Sequence, residues 1–240
     1  MTPASAANPD VRPGNVTVTA SSGGITLAAD ASAFVRSGLS VSGTAPARAT
    51  VEIDELAAAP GSTWVPVASV RAGANGSFAA AWHTSHAGPV TIRAVLGGNQ
   101  APSAAASPPA VSVTVYRRSI ATLYGPGFWG HRTACGVILR RHTLGVANRT
   151  LKCGTEVQIY YKGSVITVPV IDRGPYAHNA NWDLTMATGR AIGMLGTEVV
   201  GAASAPSTAG PSTAGQSTAG QSTASQSPTA APTAGPPAAQ

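Results

Sequence analysis

The chain has 240 residues, enough for one or two domains, and only 10% of them are charged, whereas 27 are glycine and 19 are proline. This composition favours β-sheet, turns and unstructured segments over a helical bundle. The net charge of +6 lies within residues 117–203, where ten Lys and Arg stand against four acidic residues. Without a nucleic-acid-binding motif, such a basic surface predicts an anionic partner other than nucleic acid.

The N-terminal part, about residues 15–116, consists of short apolar or alternating segments. They run from NVTVTA to VSVTVY and are separated by turn signals such as Asn75-Gly76. Seven or eight short strands in about a hundred residues predict an antiparallel β-sandwich, and the segment resembles the Ig-like modules of exported bacterial proteins. Residues 1–14 are expected to be a flexible N-terminus, without the basic start and apolar core of a signal peptide.

Two groups of side chains in the sandwich segment fit more than one role. Trp64 and Trp82 could stack on sugar rings, but tryptophans of a sandwich more often belong to its core. His83 and His86 form an H-x-x-H pair, yet the sequence offers no third ligand, so a solvated loop is favoured over a metal site. We expect a spacer or binding role here, with no metal and no cofactor.

Residues 119–203 have the pattern of a second, compact domain. Only residues 117–119 connect it to the sandwich, so the two domains are expected to lie side by side. The stretch EVQIYYKGSVITVPVID predicts a hairpin with Lys162 and Gly163 in its turn, and TMATGRAIGML has apolar residues at helical spacing. Short strands and one short helix within this length predict a β-barrel.

Cys135 and Cys153 are the two cysteines of the chain. A close pair in a small Gly-rich β domain predicts a disulfide and an exported protein, with two buried free thiols as the alternative. A bridge that closes a loop of this length contributes roughly 3 kcal/mol in the chain-entropy model. Because no run of 18 apolar residues occurs, we expect no membrane-spanning segment, and a location outside the cell or at the cell wall.

The stretch VPVIDRGPY, residues 168–176, places Asp172 after an apolar strand and before a Gly-Pro turn. The strand holds the backbone and the turn sends the chain away, so the carboxylate has a fixed position. That position suits a reacting carboxylate, and it also suits a structural turn. Arg173 is the adjacent cation, but neighbouring side chains of a strand point to opposite faces, which limits its effect on Asp172.

Five motifs follow one another in this domain. They are A-T-x-Y-G from residue 121, T-A-x-G from 133, R-T-L-x-x-G-T from 149, D-R-G-P-Y from 172 and D-L from 183. Together they resemble the rare-lipoprotein-A (RlpA) family over nearly all of residues 119–196. The resemblance implies a six-stranded double-psi β-barrel, related to the expansin barrel, and lytic transglycosylase activity on the glycan strands of peptidoglycan.

Cleavage of a glycosidic bond requires a proton for the leaving oxygen. A lytic transglycosylase uses the 6-hydroxyl of the sugar as nucleophile, so one carboxylate can act first as acid and later as base. We assign this catalytic role to Asp172. Tyr124, Asn148, Tyr176 and Asp183 are predicted to line the substrate groove, although an N-cap role for Asp183 in the following helix is the favoured alternative.

Two positions depart from the active RlpA pattern. Val137 stands where the family has a glutamate after T-A-x-G, and Asn148 stands where it has a histidine before R-T-L. His131 and His142 could compensate, although a surface role is favoured for each. Three functions therefore stay open: a peptidoglycan-cleaving enzyme, a non-catalytic expansin-like module that binds or loosens wall polysaccharide, and a structural wall protein. A monomer is expected in each case.

The tail, residues 204–240, repeats five-residue units of the STAGQ type and contains no charged or aromatic residue. Such a composition buries too little apolar surface to offset the entropy of ordering, so we expect a disordered spacer. Tracts rich in Ser, Thr and Pro also occur as O-glycosylated stalks outside the cell.

Overall fold

The computed structural model of the chain describes residues 11–97, 107–176 and 179–204, which lie in one compact unit. The expected disordered tail lies outside the described residues, apart from Ser204. The described part of the chain holds no helix with the length and apolar character that crossing a membrane requires.

The described residues form fifteen strands, one 3-10 turn and one α-helix. The first nine strands are β1 (Val11–Pro13), β2 (Thr17–Ser22), β3 (Ile25–Asp30), β4 (Ser32–Phe34), β5 (Gly38–Thr44), β6 (Thr50–Ala57), β7 (Val65–Arg71), β8 (Ser77–His83) and β9 (Gly88–Leu96). They are followed by β10 (Ala110–Tyr124), the 3-10 turn (Pro126–Phe128), β11 (Val146–Ala147), β12 (Glu156–Tyr161), β13 (Ser164–Asp172), β14 (Trp182–Thr185), α1 (Met186–Ala191) and β15 (Glu198–Ser204).

Two sheets form the N-terminal lobe, which comprises β2 to β9 and the first part of β10. One sheet has the order β2-β3-β5-β8, and β10-β9-β6-β7 form the other side. Apolar residues alternate along these strands, so one face of each sheet enters a shared core that includes Leu27, Val41, Ile53 and Ile92. The two sheets agree with the all-β expectation, while the likeness to Ig-like modules stays a prediction.

The C-terminal lobe, from the second part of β10 to β15, is a closed barrel. Its six strands follow the order β14-β11-β13-β12-β15-β10, and pairing of β10 with β14 closes the ring. The pairs β10–β14 and β11–β13 are parallel, and the others are antiparallel. Inside lies a second apolar core that includes Val157, Ile159, Ile166, Leu184 and Met194. The predicted fold class, an all-β chain with a six-stranded barrel and a short helix, is confirmed.

Strand β10 belongs to both lobes. Residues 110–115 pair with β9, and residues 117–121 pair with β15, so the expected linker at 117–119 is part of one continuous strand. At the junction, Tyr116, Phe34 and Tyr160 form an aromatic cluster with ring centroids 5.3–5.9 Å apart. A shared strand and shared core residues therefore join the two lobes.

Residues 11–14, expected to be flexible, are ordered against the barrel. Strand β1 pairs with β13, and the Gly14 amide donates to the Gly163 carbonyl at 2.8 Å. Gly163 also belongs to the predicted hairpin, since β12 and β13 pair across Lys162 and Gly163. Both turn residues have positive φ, 46° and 86°, which the tight two-residue turn requires. The backbone of this turn thus provides an edge for the N-terminal segment.

Candidate active site

Asp172 and Asp183 reach the same part of the barrel on different strands. Asp172 ends β13, and Asp183 is the second residue of β14. Strand β11 lies between them, and its residue Ala147 is in register with both aspartates. Two strand spacings, about 10 Å between ideal strands, therefore separate the aspartates, and the β11–β13 pair shifts its register between Val146 and Ala147. The small side chain of Ala147 leaves the space between the two carboxylates open.

An open cavity of about 370 Å³ covers this face. Its lining combines the two carboxylates with aromatic side chains and the D-R-G-P-Y turn. The lining residues are Thr122, Leu123, Tyr124, Phe128, Ala147, Asp172, Arg173, Gly174, Pro175, Tyr176 and Asp183. The structure thus brings together four of the five predicted site residues: Asp172, Asp183, Tyr124 and Tyr176.

The Asp172 carboxylate is half-buried and held by backbone amides. Its Oδ1 accepts from Ala134 N at 2.9 Å and from Arg173 N at 2.8 Å. The Arg173 guanidinium contacts other groups: it donates to the Asn148 carbonyl at 3.1 Å and lies 3.3 Å from Cys153 Sγ. Among the described residues, the ion pair is Arg93–Asp54, so Asp172 is not tied to a neighbouring cation.

Asp183 has different surroundings. Burial raises the pKa of its carboxyl group, the nearby charge of Asp172 raises it further, and a hydrogen bond from Thr122 opposes the rise. That bond runs from Thr122 Oγ1 to Asp183 Oδ1 over 2.8 Å. The expected N-cap role is wrong, because Thr185 caps α1 and its hydroxyl accepts from Thr188 N. The Asp183 side chain is therefore free to act in the cavity.

Tyr124 ends β10 beneath the cavity. Its hydroxyl is buried and has no hydrogen-bond partner in the described part of the chain. Burial raises the pKa of Tyr124, and the negative charges of Asp172 and Asp183 raise it further, so the hydroxyl keeps its proton and remains a donor. A buried hydroxyl without a partner is a group that a ligand oxygen would satisfy.

Tyr176 and Phe128 form the exposed rim of the cavity. Their side chains are 80% and 60% exposed, although both are large and aromatic. Exposed aromatic rings beside a polar cavity suit contact with the apolar face of a ligand ring. Sequence reasoning missed Phe128, Thr122 and Ala147, although Phe128 and Thr122 lie within or just after the A-T-x-Y-G motif, where the signal was available.

Asn148, the fifth predicted residue, is not part of the cavity lining found among the described residues, and its role in substrate binding stays a prediction. Its Oδ1 accepts from the amides of Thr150 and Leu151 at 3.0 and 2.9 Å, and its Nδ2 donates to the Asn181 carbonyl at 3.3 Å. These bonds stabilise the turn after β11. The side chain is occupied by backbone groups and does not reach Asp172.

The other positions that the sequence singled out lie outside the cavity wall. Val137 is partly buried and packs against a small apolar cluster that includes Tyr124 and Ile171. His131 and His142 are exposed. Within residues 11–97, 107–176 and 179–204, no three His, Cys, Asp or Glu side chains are grouped as metal ligands. Asp172 and Asp183 are the carboxylates in the lining of the cavity described above.

The predicted disulfide between Cys135 and Cys153 is present, with Cα atoms 5.6 Å apart. Cys135 follows Ala134, whose amide donates to Asp172, and Cys153 lies in the turn before β12. The bridge thus attaches the segment that holds Asp172 to a second loop of the barrel.

The barrel segment matches known proteins. Residues 116–204 match a family model described as "Lytic transglycolase". The "Probable endolytic peptidoglycan transglycosylase RlpA" of Synechocystis sp. is 38% identical over 87 residues, which are 35% of this chain and 27% of the relative. The protein of that name from Aquifex aeolicus is 37% identical over 87 residues, 35% of this chain and 38% of the relative.

The "Endolytic peptidoglycan transglycosylase RlpA" of Campylobacter jejuni is 32% identical over 109 residues, 42% of this chain and 40% of the relative. The chain thus spans two fifths or less of the length of these relatives. Among solved structures, the Streptomyces papain inhibitor is 23% identical, with a TM-score of 0.31 over 37% of this chain and 92% of that chain.

The closed barrel coincides with the segment that matches the "Lytic transglycolase" family model, and its six mixed strands agree with a double-psi β-barrel. Residues 116–204 are RlpA-like, as the five sequence motifs predicted.

Proposed function

We propose that this protein cleaves the glycan strands of peptidoglycan by a lytic transglycosylase reaction in the cavity between Asp172 and Asp183. The observation that carries the proposal is the pair of carboxylates on either side of Ala147, of which one, Asp183, is partly buried with a raised pKa. The names of the RlpA relatives support peptidoglycan as the substrate class. Such a substrate implies that the protein works outside the cell or at the wall.

The two aspartates can divide the acid–base work. Asp183 keeps its proton to higher pH than an ordinary aspartate and is suited to protonate the leaving glycosidic oxygen. As the C–O bond breaks, positive charge develops on the sugar ring, and the carboxylate of Asp172 stabilises it. The sugar 6-hydroxyl then attacks the anomeric carbon, and Asp172 accepts its proton. The product is a 1,6-anhydro sugar. Asp172 then releases its proton to solvent, and Asp183 takes one up from solvent, which restores the starting state.

The remaining groups of the cavity position the glycan. The Tyr124 hydroxyl would donate to a sugar oxygen, which would provide the partner that it lacks. Tyr176 and Phe128 would offer their exposed rings to the apolar face of a sugar. Gly174, with φ of 127°, allows the chain to turn away at the rim, a conformation that disfavours side chains.

A non-catalytic, expansin-like module that binds wall glycan is the second candidate. Val137 has no titratable group and packs into an apolar cluster. The Asn148 side chain accepts hydrogen bonds from backbone amides of the turn after β11. Both positions therefore lack the groups that active relatives are expected to use. The same cavity and rim would serve a binder without any change in fold.

The test is to incubate the full chain with peptidoglycan glycan strands stripped of stem peptides and to look for 1,6-anhydro ends by mass spectrometry. Wild-type protein should generate such ends, and Asp172→Asn and Asp183→Asn should each reduce their formation by about a hundredfold or more. Glu156→Gln is the matched control, because it removes an exposed carboxylate of the barrel outside the cavity. Glycan binding without anhydro ends in any variant would establish the binder and exclude the enzyme.

A further inference from the structure

A second cavity lies in the N-terminal lobe, remote in sequence from the RlpA-like segment. Its volume is about 410 Å³, within the range of small-molecule sites. It opens between strands of the two sheets, since β6 and β7 line one side and the end of β8 lines the other. The turn at residues 61–63 and the segment 84–86 complete the wall.

A carboxylate without a counterion lies in this cavity. Glu55 is only 8% exposed, yet it lines the cavity and finds no Lys, Arg or His within ion-pair distance among the described residues. The adjacent Asp54 does have a cation, Arg93, at 2.8 Å, and Arg93 also stacks over Trp64. Because Arg93 is engaged in this way, the charge of Glu55 remains uncompensated.

Two neutral donors hold Glu55 in position. Trp82 Nε1 donates to Oε2 at 2.8 Å, and Thr84 Oγ1 donates to Oε1 at 3.3 Å. Each carboxylate oxygen has about two lone-pair sites, so these bonds leave further acceptor capacity. Trp82 is itself buried, which fixes the carboxylate and also removes its indole ring from any sugar-stacking role.

The wall around Glu55 combines apolar side chains, Ala57, Val65 and Val67, with polar ones. It presents the hydroxyls of Ser62, Thr63 and Ser85 and the imidazoles of His83 and His86. Burying a carboxylate is costly unless a cation or several donors compensate it. A carboxylate beneath a rim of hydroxyl, imidazole and small apolar groups is therefore complementary to a small ligand with one positive group and several hydrogen-bonding groups.

We propose that this cavity binds a primary ammonium group carried by a small polar ligand, with Glu55 as its counterion. An ammonium group donates up to three hydrogen bonds, which matches the acceptor capacity left on Glu55. A free amino sugar and the free amine of a short peptide both present this group. The N-terminal lobe would then recognise de-acetylated sugars or peptide amines independently of the barrel.

The wild-type protein contains its own reporter of binding. The indole N–H of Trp82 donates directly to Glu55, and it is one of four tryptophan indole signals in an NMR spectrum. Trp82→Phe identifies the signal. Glucosamine and Nα-acetyl-lysine methylamide should shift it, whereas N-acetylglucosamine and the Nε-acetylated lysine derivative should not. The amine that shifts the Trp82 signal at the lower concentration shows whether the cavity prefers an amino sugar or a peptide amine.

The variant Glu55→Gln removes the charge and keeps an acceptor for Trp82, so affinity for the amines should fall about tenfold or more. Glu52→Gln is the control, because it removes a carboxylate from the same strand outside the cavity. Equal shifts by acetylated and free amines, or no shift of the Trp82 signal at the solubility limit, would overturn the proposal. This comparison uses wild-type protein, so it decides the question even where Glu55→Gln fails to fold.

Discussion

At the residue scale, two identical side chains acquire different chemistry from their surroundings. Asp172 is held by the amides of Ala134 and Arg173, whereas Asp183 is partly buried and its carboxylate receives a hydrogen bond from the Thr122 hydroxyl. Burial disfavours the charged form of Asp183 and raises its pKa. The different roles proposed for the two aspartates therefore depend on their environment, and the raised pKa of Asp183 also has a consequence for stability.

Asp183→Asn should make stability less dependent on pH. Because the folded-state pKa of Asp183 is raised, its favourable contribution is present below the ordinary aspartate pKa of about 4 and is lost as pH rises through the folded value. The asparagine variant lacks this loss, so its Tm should exceed that of the wild type at pH 7 and approach it near pH 3. Thermal unfolding across this range measures the difference, with Glu156→Gln as the exposed control. A Tm difference between Asp183→Asn and wild type that is independent of pH would contradict a raised pKa of Asp183.

Tyr124→Phe should stabilise the barrel. It removes a buried hydroxyl that has no partner among the described residues, and such a group costs about 1–3 kcal/mol. We expect a gain of about 1 kcal/mol in denaturant unfolding and weaker glycan binding. Tyr116→Phe, on the same strand, is the matched control, because its hydroxyl donates to Gln158 at 3.1 Å and its loss should destabilise. Equal destabilisation by both variants would mean that water already satisfies Tyr124.

At the element scale, a loop and a disulfide hold the carboxylate at the end of β13. The segment between β10 and β11 contains Ala134, whose amide bonds Asp172, and Cys135, which bridges to the turn before β12. The Thr133 amide donates a 2.8 Å hydrogen bond to the Val137 carbonyl, which tightens this segment. Rigid support of this kind fixes a reacting group more precisely than a free loop does.

The double variant Cys135→Ser/Cys153→Ser should lower barrel stability by roughly 3 kcal/mol, because the sequence separation of 18 defines the loop that the bridge closes. Formation of anhydro ends should fall further than the fraction of folded protein explains, since Ala134 loses its support. Fluorescence and activity, measured with and without reductant on wild-type protein, provide the comparison. Full activity of a folded, reduced barrel would exclude a positioning role for the bridge.

At the scale of the whole molecule, the two lobes differ in charge but share one continuous strand. Residues 117–203 hold ten Lys and Arg against four acidic residues, whereas the preceding residues hold five of each. Strand β10 nevertheless runs through both lobes, and the Phe34, Tyr116 and Tyr160 cluster packs at the junction. The basic surface is thus attached to the N-terminal lobe by a strand and a shared core.

Binding to purified wall sacculi should weaken with salt, because exposed charges interact within a Debye length of about 10 Å at 0.1 M salt. Arg140→Gln/Arg190→Gln, two exposed cations of the barrel, should weaken binding at low salt. Arg36→Gln/Arg48→Gln, two exposed cations of the N-terminal lobe, should have little effect. Pull-down with sacculi at low salt and at several-fold higher salt measures the salt dependence of the wild type and the effect of each double variant. Binding unchanged by salt would assign the affinity to stacking and hydrogen bonds.

The sequence by itself determined the local features of this protein. Alternating apolar residues predicted the strands, Lys162 and Gly163 predicted the hairpin turn, and the two cysteines predicted the bridge. These features depend on residues near one another in the chain or on a choice among very few partners. The motif order added the barrel and placed Asp172 at the end of a strand.

Only the tertiary structure decided what surrounds the functional groups. Ala147 lies between Asp172 and Asp183 because β11 pairs with both β13 and β14, a register that no local pattern specifies. Long-range packing likewise brings the Asn181 carbonyl to the Asn148 amide group and buries Glu55 without a cation among the described residues. The physical reason is that burial, pKa and hydrogen-bond satisfaction depend on groups distant in the chain, which come together only when the sheets close.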